Sequence, residues 1–289
     1  MSQDPKARIV TTRFAPSPNG HLHLGHAYAA ICAHDFARAH GGRFLLRIED
    51  IDGTRSRPEF VGGILADMQW LGLCFDGDVI FQSARVDSYR QALEQLHAMG
   101  LVYKCICTRG DIAAAIQAKA VRHGPDGPVY PGTCRGRDVP ADKPYCWRLD
   151  MGKALDRAGP IGWTDLIAGD QFGDAAQFGD IVLWRKDAPA SYHLAATLDD
   201  AADEITYIVR GKDLFAYTAV HRLLQNLLGL LQPAYWHHEL FCDDNGEKLA
   251  KSRSSAALSA LRAGGRDGKE IAQMLRSGKL PLGISLSNS

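Results

Sequence analysis

The chain has 289 residues, 46% of them hydrophobic and 23% charged, a make-up suited to one large soluble domain or two modest ones. Lys plus Arg and Asp plus Glu both number 33, so the formal net charge of zero excludes a general attraction to nucleic acid or membrane, and any RNA contact needs a local basic face. No apolar run reaches the roughly 18 residues of a membrane span, "MSQDPKARIV" lacks a signal-peptide core, and the seven cysteines do not form a secreted disulfide framework; a cytoplasmic protein with free thiols or a metal is expected.

In chain order, "RIVTTRFA" (8–15) is a short β-prone run that stops at the turn-forming "PSPNG". From Leu22 to about His40 the spacing of Leu24, Ala27, Ile31 and Phe36 predicts a helix, with Gly41 and Gly42 as its stop, and "RFLLRIED" predicts a second strand. Strand, glycine-bearing turn, helix and strand make a βαβ unit, which predicts a parallel sheet with its ligand site at the C-terminal edge of the strands. Helix patterns follow at Pro58–Leu71 and Val86–Met99, the second closed by Gly100.

From Tyr103 to about Pro189 regular patterning gives way to a Gly-, Pro- and Asp-rich stretch, read as an inserted, partly β subdomain; "QFGD" occurs twice there, at 171–174 and 177–180, too briefly for a repeat architecture. Patterning then resumes with a strand at "EITYIVRG" (204–211), an amphipathic helix at "DLFAYTAVHRLLQNLLG" (213–229) and a strand at "YWHHELFC" (235–242) that leads into "DDNGEKLAKS". The expected organisation is a nucleotide-binding sheet in two halves, 1–102 and 191–289, interrupted by an insertion at 103–190, with room for a helix or two in the 37 residues after Ser252.

Three groups of residues carry chemistry. His23 and His26 share one face of a helix start, where free N–H groups favour an anion; two imidazoles there suit a triphosphate, and Gly25 leaves room for an adenine ring against the backbone. Arg13, Glu49 and Arg210 stand at the ends of three predicted strands and would converge on one crevice. Two cations and one anion are what a dicarboxylic amino acid needs for its two carboxylates and its ammonium. Cys105, Cys107 and Cys134 can supply three thiolates to a tetrahedral zinc, with His123, Cys146 and Tyr130 as candidates for the fourth position; chemistry alone favours His123 or Cys146.

The stretch "RFAPSPNGHLHLGH" resembles the first signature of class I aminoacyl-tRNA synthetases in its glutamate-specific form, and "KLAKS" (248–252) resembles the second, a lysine loop that closes over the phosphates of ATP, although Ala250 stands where the family usually has Ser. The resemblance runs from Arg13 through "IEDID", "SYHLA" and "VRGKDL" to "KLAKS", nearly the whole chain. It implies an α/β Rossmann-type parallel-sheet catalytic domain with an inserted zinc-binding α+β subdomain, and a reaction that activates L-glutamate with ATP, magnesium riding on the phosphates. It maps a glutamate pocket onto Arg13, Phe14, Ala15, Pro16, Ser17, Glu49, Tyr192 and Arg210, and an ATP site onto His23, Gly25, His26 and Lys251. Because negative charge develops as pyrophosphate departs, Lys251 is expected to stabilise the transition state, with Lys248 in support.

Glutamate-specific synthetases that charge a tRNA 3′ end continue beyond the lysine loop into a large helical anticodon-binding region. The short remainder here, and a C-x-C followed by Y-x₃-C, are similar to the glutamyl-queuosine branch of the family, which joins glutamate to the queuosine base of tRNA(Asp); that likeness points to Tyr130 as the fourth zinc ligand beside Cys105, Cys107 and Cys134. The expectation is therefore a monomeric enzyme of that branch with one structural zinc and no anticodon-binding domain. An ordinary glutamyl-tRNA synthetase core is the alternative within the family. A different nucleotidyltransferase with an HxGH helix explains the histidines but not Arg13, Glu49 and Arg210, and a non-enzymatic zinc and RNA-binding protein requires an inert lysine loop.

Overall fold

The structure, a computed structural model, describes residues 8–118, 121–140, 142–243, 257–278 and 284–286. Strand β1 (Thr11–Phe14) is buried along its whole length, as a central strand must be. The chain then turns through the Pro and Gly residues into helix α1 (Leu24–Ala39) and returns as β2 (Arg43–Ile48), parallel to β1. The return depends on Gly42: a Cβ there would fall 2.1 Å from the Val10 carbonyl oxygen, which instead accepts from the Arg43 N–H at 2.7 Å.

Helix α2 (Pro58–Trp70) begins with proline in its first turn, and β3 (Ile80–Phe81) extends the parallel set to the order β3-β2-β1. Helix α3 (Val86–Ala98) leads into the irregular stretch: β4 (Val102–Cys105), α4 (Arg109–Ala118), a small hairpin of β5 (His123–Gly124) and β6 (Gly127–Pro128), β7 (Cys146–Leu149) and α5 (Met151–Ala158). Next come β8 (Gly162–Asp165), β9 (Gly169–Phe172) and β10 (Val182–Trp184). Strands β10, β7 and β4 form a separate antiparallel sheet. Strand β8, although inside the irregular stretch, joins the second half of the main sheet, pairing parallel with a later strand at Asp165↔Tyr235.

That second half comprises α6 (Tyr192–Ala202), β11 (Tyr207–Gly211), α7 (Thr218–Leu228) and β12 (Ala234–His238), with sheet order β11-β12-β8-β9. Helix α7 starts five residues later than the pattern indicates, because a single 3-10 turn at Lys212–Leu214 precedes it, and ends at Gly229 in the left-handed region (φ +64°). The single strand expected over 235–242 is two: β12 stops at His238, and β13 (Phe241–Asp243) leaves the sheet to pair with a strand near the C-terminus. Helices α8 (Leu258–Ala263) and α9 (Gly268–Arg276) and that partner strand, β14 (Ile284–Leu286), complete the described chain.

Alternate residues of β2 serve opposite faces of the sheet. Phe44, Leu46 and Ile48 pack into a core with α1, α2 and α9, whereas Leu45 packs with α3, α5, α6 and α7 on the other side. The halves meet where β1 lies beside β11. Thr206 N–H donates to the Thr11 carbonyl at 3.0 Å, and Thr11 N–H donates to Thr206 Oγ1 at 2.8 Å. Strand order reverses at this seam, since β2 follows β1 to one side and β11 lies to the other, and such a reversal opens a crevice at the carboxyl ends of the strands.

Candidate active site

A cleft of about 650 Å³ occupies that crevice. Its wall includes Arg13, Phe14, Ala15, Pro16 and Ser17 from β1 and the following turn, Glu49 after β2, Tyr192 at the start of α6, Arg210 on β11, and His26 on α1. The residues assigned to glutamate in the sequence thus line one cavity. A smaller chamber of about 160 Å³ shares Ser17, Asn19, Glu49 and Tyr192 with it.

Both guanidiniums are anchored by the protein. Arg13 grips Asp200 with two parallel bonds, Nε to Oδ1 at 2.8 Å and Nη2 to Oδ2 at 3.2 Å, and donates from Nη1 to the Val209 carbonyl at 3.3 Å. Arg210 donates from Nε to His237 at 3.1 Å, from Nη1 to His221 at 3.0 Å, and from Nη2 to the Leu214 carbonyl at 3.2 Å and Thr218 Oγ1 at 2.7 Å. Of five N–H groups each, Arg13 retains two and Arg210 one that no described residue engages. Asp200 belongs to a larger buried network. Arg47, with no exposed surface, donates to Asp200 at 2.5 Å and Asp203 at 2.7 Å, and Arg85 reaches Asp199 at 3.1 Å as well as Asp203. Gln82 and Tyr89 complete the shell of Asp199 at 2.8 and 2.9 Å.

Among the described residues, Glu49 faces this positive group without a direct ion pair. Burial pushes its carboxyl up to about 7, against the opposing pull of Arg47 and Arg13. A carboxylate held in this way gains most from a cation arriving in the cleft.

His23 is the N-cap of α1, and its backbone N–H donates to His26 Nδ1 at 3.2 Å. The two rings lie 3.9 Å apart. Because Nδ1 accepts, the proton of neutral His26 sits on Nε2. A Cβ at Gly25 would press within 3.3 Å of the His23 ring, so glycine keeps this first turn open. Lys248 and Lys251 lie outside the described residues. The chain on either side of them is placed: it leaves from β13 at Asp243 and returns at Ala257, which forms a β-bridge with His23, while Leu258 N–H donates to the Leu22 carbonyl at 2.8 Å.

In the antiparallel sheet region, Cys105, Cys107 and Cys134 bring their sulfurs within 4.8 Å of one another, with Cys107 and Cys134 at 3.5 Å. A tetrahedral site with metal–sulfur bonds of about 2.3 Å has sulfur–sulfur edges of about 3.8 Å, so this group could hold a metal ion. The Tyr130 hydroxyl lies 3.3 Å from Cys105 and 3.5 Å from Cys107, and accepts from the Cys134 N–H at 3.0 Å. Cys146 stands opposite Cys105 on β7, and its hydrogen bond is the main reason the Cys105 thiol is held well down, at about 3, with Tyr130 and Arg148 assisting against burial. Burial and the neighbouring thiols push the Tyr130 hydroxyl upward, so in the metal-free protein it stays a phenol. His123 is exposed on β5.

Sequence reasoning did not find Asp200, His193, His221 or His237. The signals were present in "SYHLAATLDDAADE", with carboxylates on a predominantly apolar helix, and in "AVHRLL", with a histidine on a buried helix face.

The family model for tRNA synthetases class I (E and Q), catalytic domain, matches residues 9–279. The chain therefore belongs to the class I tRNA synthetases for glutamate and glutamine. Among its relatives, the glutamyl-Q tRNA(Asp) synthetase of Rhodobacter capsulatus is 47% identical over 279 residues, covering 92% of this chain and 99% of that protein. The glutamyl-Q tRNA(Asp) synthetase of Aromatoleum aromaticum is 43% identical over 260 residues, covering 89% of this chain and 79% of that protein. A solved glutamate tRNA ligase of Elizabethkingia meningosepticum, in complex with its amino acid, superposes with a TM-score of 0.76 at 28% identity, covering 93% of this chain. The glutamate-tRNA synthetase of Elizabethkingia anophelis gives 0.72 at 29% identity, covering 84%. The chain spans 60% and 53% of the length of those two synthetases, respectively.

Proposed function

We propose that this chain activates L-glutamate with ATP to give glutamyl-adenylate and pyrophosphate, then transfers the glutamyl group to the queuosine base in the anticodon loop of tRNA(Asp). The observation that carries the activation step is the single cleft in which Arg13, Arg210 and Glu49 meet beside the His26 end of α1. The acceptor rests on relatives named glutamyl-Q tRNA(Asp) synthetase, one of which this chain matches over 99% of its length.

In the first step an oxygen of the α-carboxylate bonds to the α-phosphorus as the bond to the β-phosphate oxygen breaks. Arg13 and Arg210 take the two carboxylates and Glu49 the ammonium, so binding aligns the nucleophile. His26, with His23 and the open turn at Gly25, takes the nucleotide, and Lys251 with Lys248 stabilises the charge passing to pyrophosphate. Magnesium accompanies ATP. In the second step a hydroxyl of the queuosine cyclopentene ring attacks the activated carbonyl and AMP leaves. A base in a single-stranded loop can be splayed into such a cleft. In domain terms, 103–190 is an insertion between halves 1–102 and 191–289, with β8 and β9 returning to the main sheet.

Glutamate-dependent exchange of labelled pyrophosphate into ATP, without RNA, tests the first step. Labelled glutamate with tRNA(Asp) prepared with or without queuosine tests the second: label is expected only on queuosine-bearing tRNA. Efficient charging of tRNA(Glu) at its 3′ end would instead establish an ordinary glutamyl-tRNA synthetase.

The same reading assigns one structural zinc to Cys105, Cys107 and Cys134, with Tyr130 as fourth donor. Bound, it would cross-link β4 to the loop carrying Tyr130 and Cys134, a region whose own core is small. Metal analysis is expected to find one zinc per chain, lost in Cys107→Ser and Cys134→Ser, with faster proteolysis of the 103–140 region. Absence of zinc from protein prepared without chelators would remove the assignment.

A further inference from the structure

We propose that His221 is the positioning residue for the side-chain carboxylate of the substrate: it fixes Arg210 and His193 so that both direct N–H groups at that carboxylate, and the pair thereby selects glutamate over glutamine. The inference rests on the glutamate-activating function proposed above and supplies its selectivity.

The hydrogen bonds impose a direction. A guanidinium only donates, so the 3.0 Å contact from Arg210 Nη1 requires a lone pair on His221 Nδ1, and the proton of neutral His221 sits on Nε2. That Nε2–H faces His193 Nδ1 at 3.3 Å, which places the His193 proton on Nε2 in turn. His193 lines the cleft, and among the described residues its Nε2 has no hydrogen-bond partner and is not a buried orphan, so it opens to the cavity. On the other side, Arg210 Nε donates to His237 Nε2 at 3.1 Å, and His237 donates from Nδ1 to Asp165 at 2.6 Å. The donors thus run outward from Arg210, through one imidazole into the anchoring carboxylate and through two imidazoles into the cleft.

Neither cleft-side imidazole is positioned to carry charge. Burial holds His221 well below its ordinary range, and the groups that bear on it (Arg210, His193, Arg13 and His237) all disfavour a second positive charge. Burial likewise lowers His193, to about 4, with Arg210 assisting and Asp126 opposing. Asp126, a carboxylate in the same cleft wall, accepts from the Tyr217 hydroxyl, and the Tyr217 ring stacks on His193 at 5.4 Å, fixing its plane. Tautomers and donor directions therefore persist through the neutral pH range.

A carboxylate can accept from both the free Arg210 N–H and the His193 N–H. The two N–H groups are assigned to separate oxygens of that carboxylate, so a carboxamide must present its NH₂ to one of them and leave that donor facing a donor, unpartnered. Sites built this way discriminate strongly, on the order of 10⁴ or more when fully enclosed.

The test measures glutamate- and glutamine-dependent pyrophosphate exchange for wild type, His221→Leu, His221→Gln and His193→Phe. His221→Leu is expected to raise the KM for glutamate about tenfold or more, leave kcat within about threefold and the KM for ATP unchanged, and narrow the glutamate-to-glutamine ratio of kcat/KM by about tenfold or more. His221→Gln is expected to recover most of the ratio, because its carbonyl can accept from Arg210 while its NH₂ donates to His193. His193→Phe keeps the stacked ring but lacks the N–H, and is expected to narrow the ratio even if His221→Leu does not fold. An unchanged ratio in His193→Phe, or a Gln variant no better than Leu, overturns the proposal while leaving the activation reaction intact. No glutamate-dependent exchange in wild type overturns the functional reading itself.

Discussion

Arg47→Met is expected to lower the free energy of unfolding by about 3–5 kcal/mol, the usual cost of removing one partner from a buried ion network. Arg47 has no exposed side-chain surface, and its guanidinium lies among Asp199, Asp200 and Asp203, whose side chains are 1%, 5% and 3% exposed. Three arginines, Arg13, Arg47 and Arg85, balance these three carboxylates. Removing the central cation leaves two for three, in a region where desolvation makes an unpaired anion costly. Arg47→Lys keeps the charge but not the planar fork that bridges separate carboxylates, and should fall between. Urea titrations followed by far-UV circular dichroism would measure the loss; a change below about 1 kcal/mol for Arg47→Met would mean that the network contributes specificity rather than stability. Because Arg47 also restrains the Glu49 carboxyl, the variant should bind glutamate more weakly at neutral pH than its stability alone explains.

The KM for glutamate is expected to rise about tenfold between pH 8 and pH 6, and Glu49→Gln to abolish that dependence while raising KM at pH 8 by about 10–100-fold. In the free enzyme burial places the Glu49 carboxyl at about 7, with Arg47 and Arg13 pulling down and Asp200 and Asp199 pushing up. Only the carboxylate pairs with the substrate ammonium, so as pH falls below 7 an increasing fraction of enzyme must lose a proton to bind. The effect on stability has the opposite sense. A carboxyl raised on folding costs stability above its unfolded value, so Glu49→Gln should raise the melting temperature at pH 8 while weakening binding. A flat KM from pH 6 to 8 in the wild type would remove Glu49 from the ammonium role.

The βαβ opening was legible because hydrophobic period changes from two to 3.6 and back within about 40 residues, with Gly41 and Gly42 marking the return. The break between β12 and β13 was not. Apolar patterning runs through "YWHHELFC", and the partner that draws Phe241–Asp243 away lies at Ile284–Leu286. The cleft was half legible for a similar reason. Strand ends located Arg13, Glu49 and Arg210, whereas what holds the two arginines comes from other elements: Asp200, 187 residues from Arg13, and His221 and His237, 11 and 27 residues from Arg210. Charge at a strand end announces itself; its partner across the fold does not. The three thiols of the candidate metal group followed from spacing, while the position of the Tyr130 hydroxyl depends on how the loop after β6 folds back.

The seam between β1 and β11 also bears on how the chain comes to be folded. Its hydrogen bonds join residues 195 positions apart, and at synthesis rates of about 5–20 residues per second Thr206 emerges about 10–40 s after Thr11. Throughout that interval β1, all four of whose residues are buried in the finished fold, has its β11-facing edge unpaired. Such an edge is a template for association with other nascent chains. The seam is thus a late, long-range closure of the kind that makes high-contact-order folds slow, and expression at lower temperature or with chaperones that cover exposed strands should raise soluble yield more than it would for a helical protein of the same length.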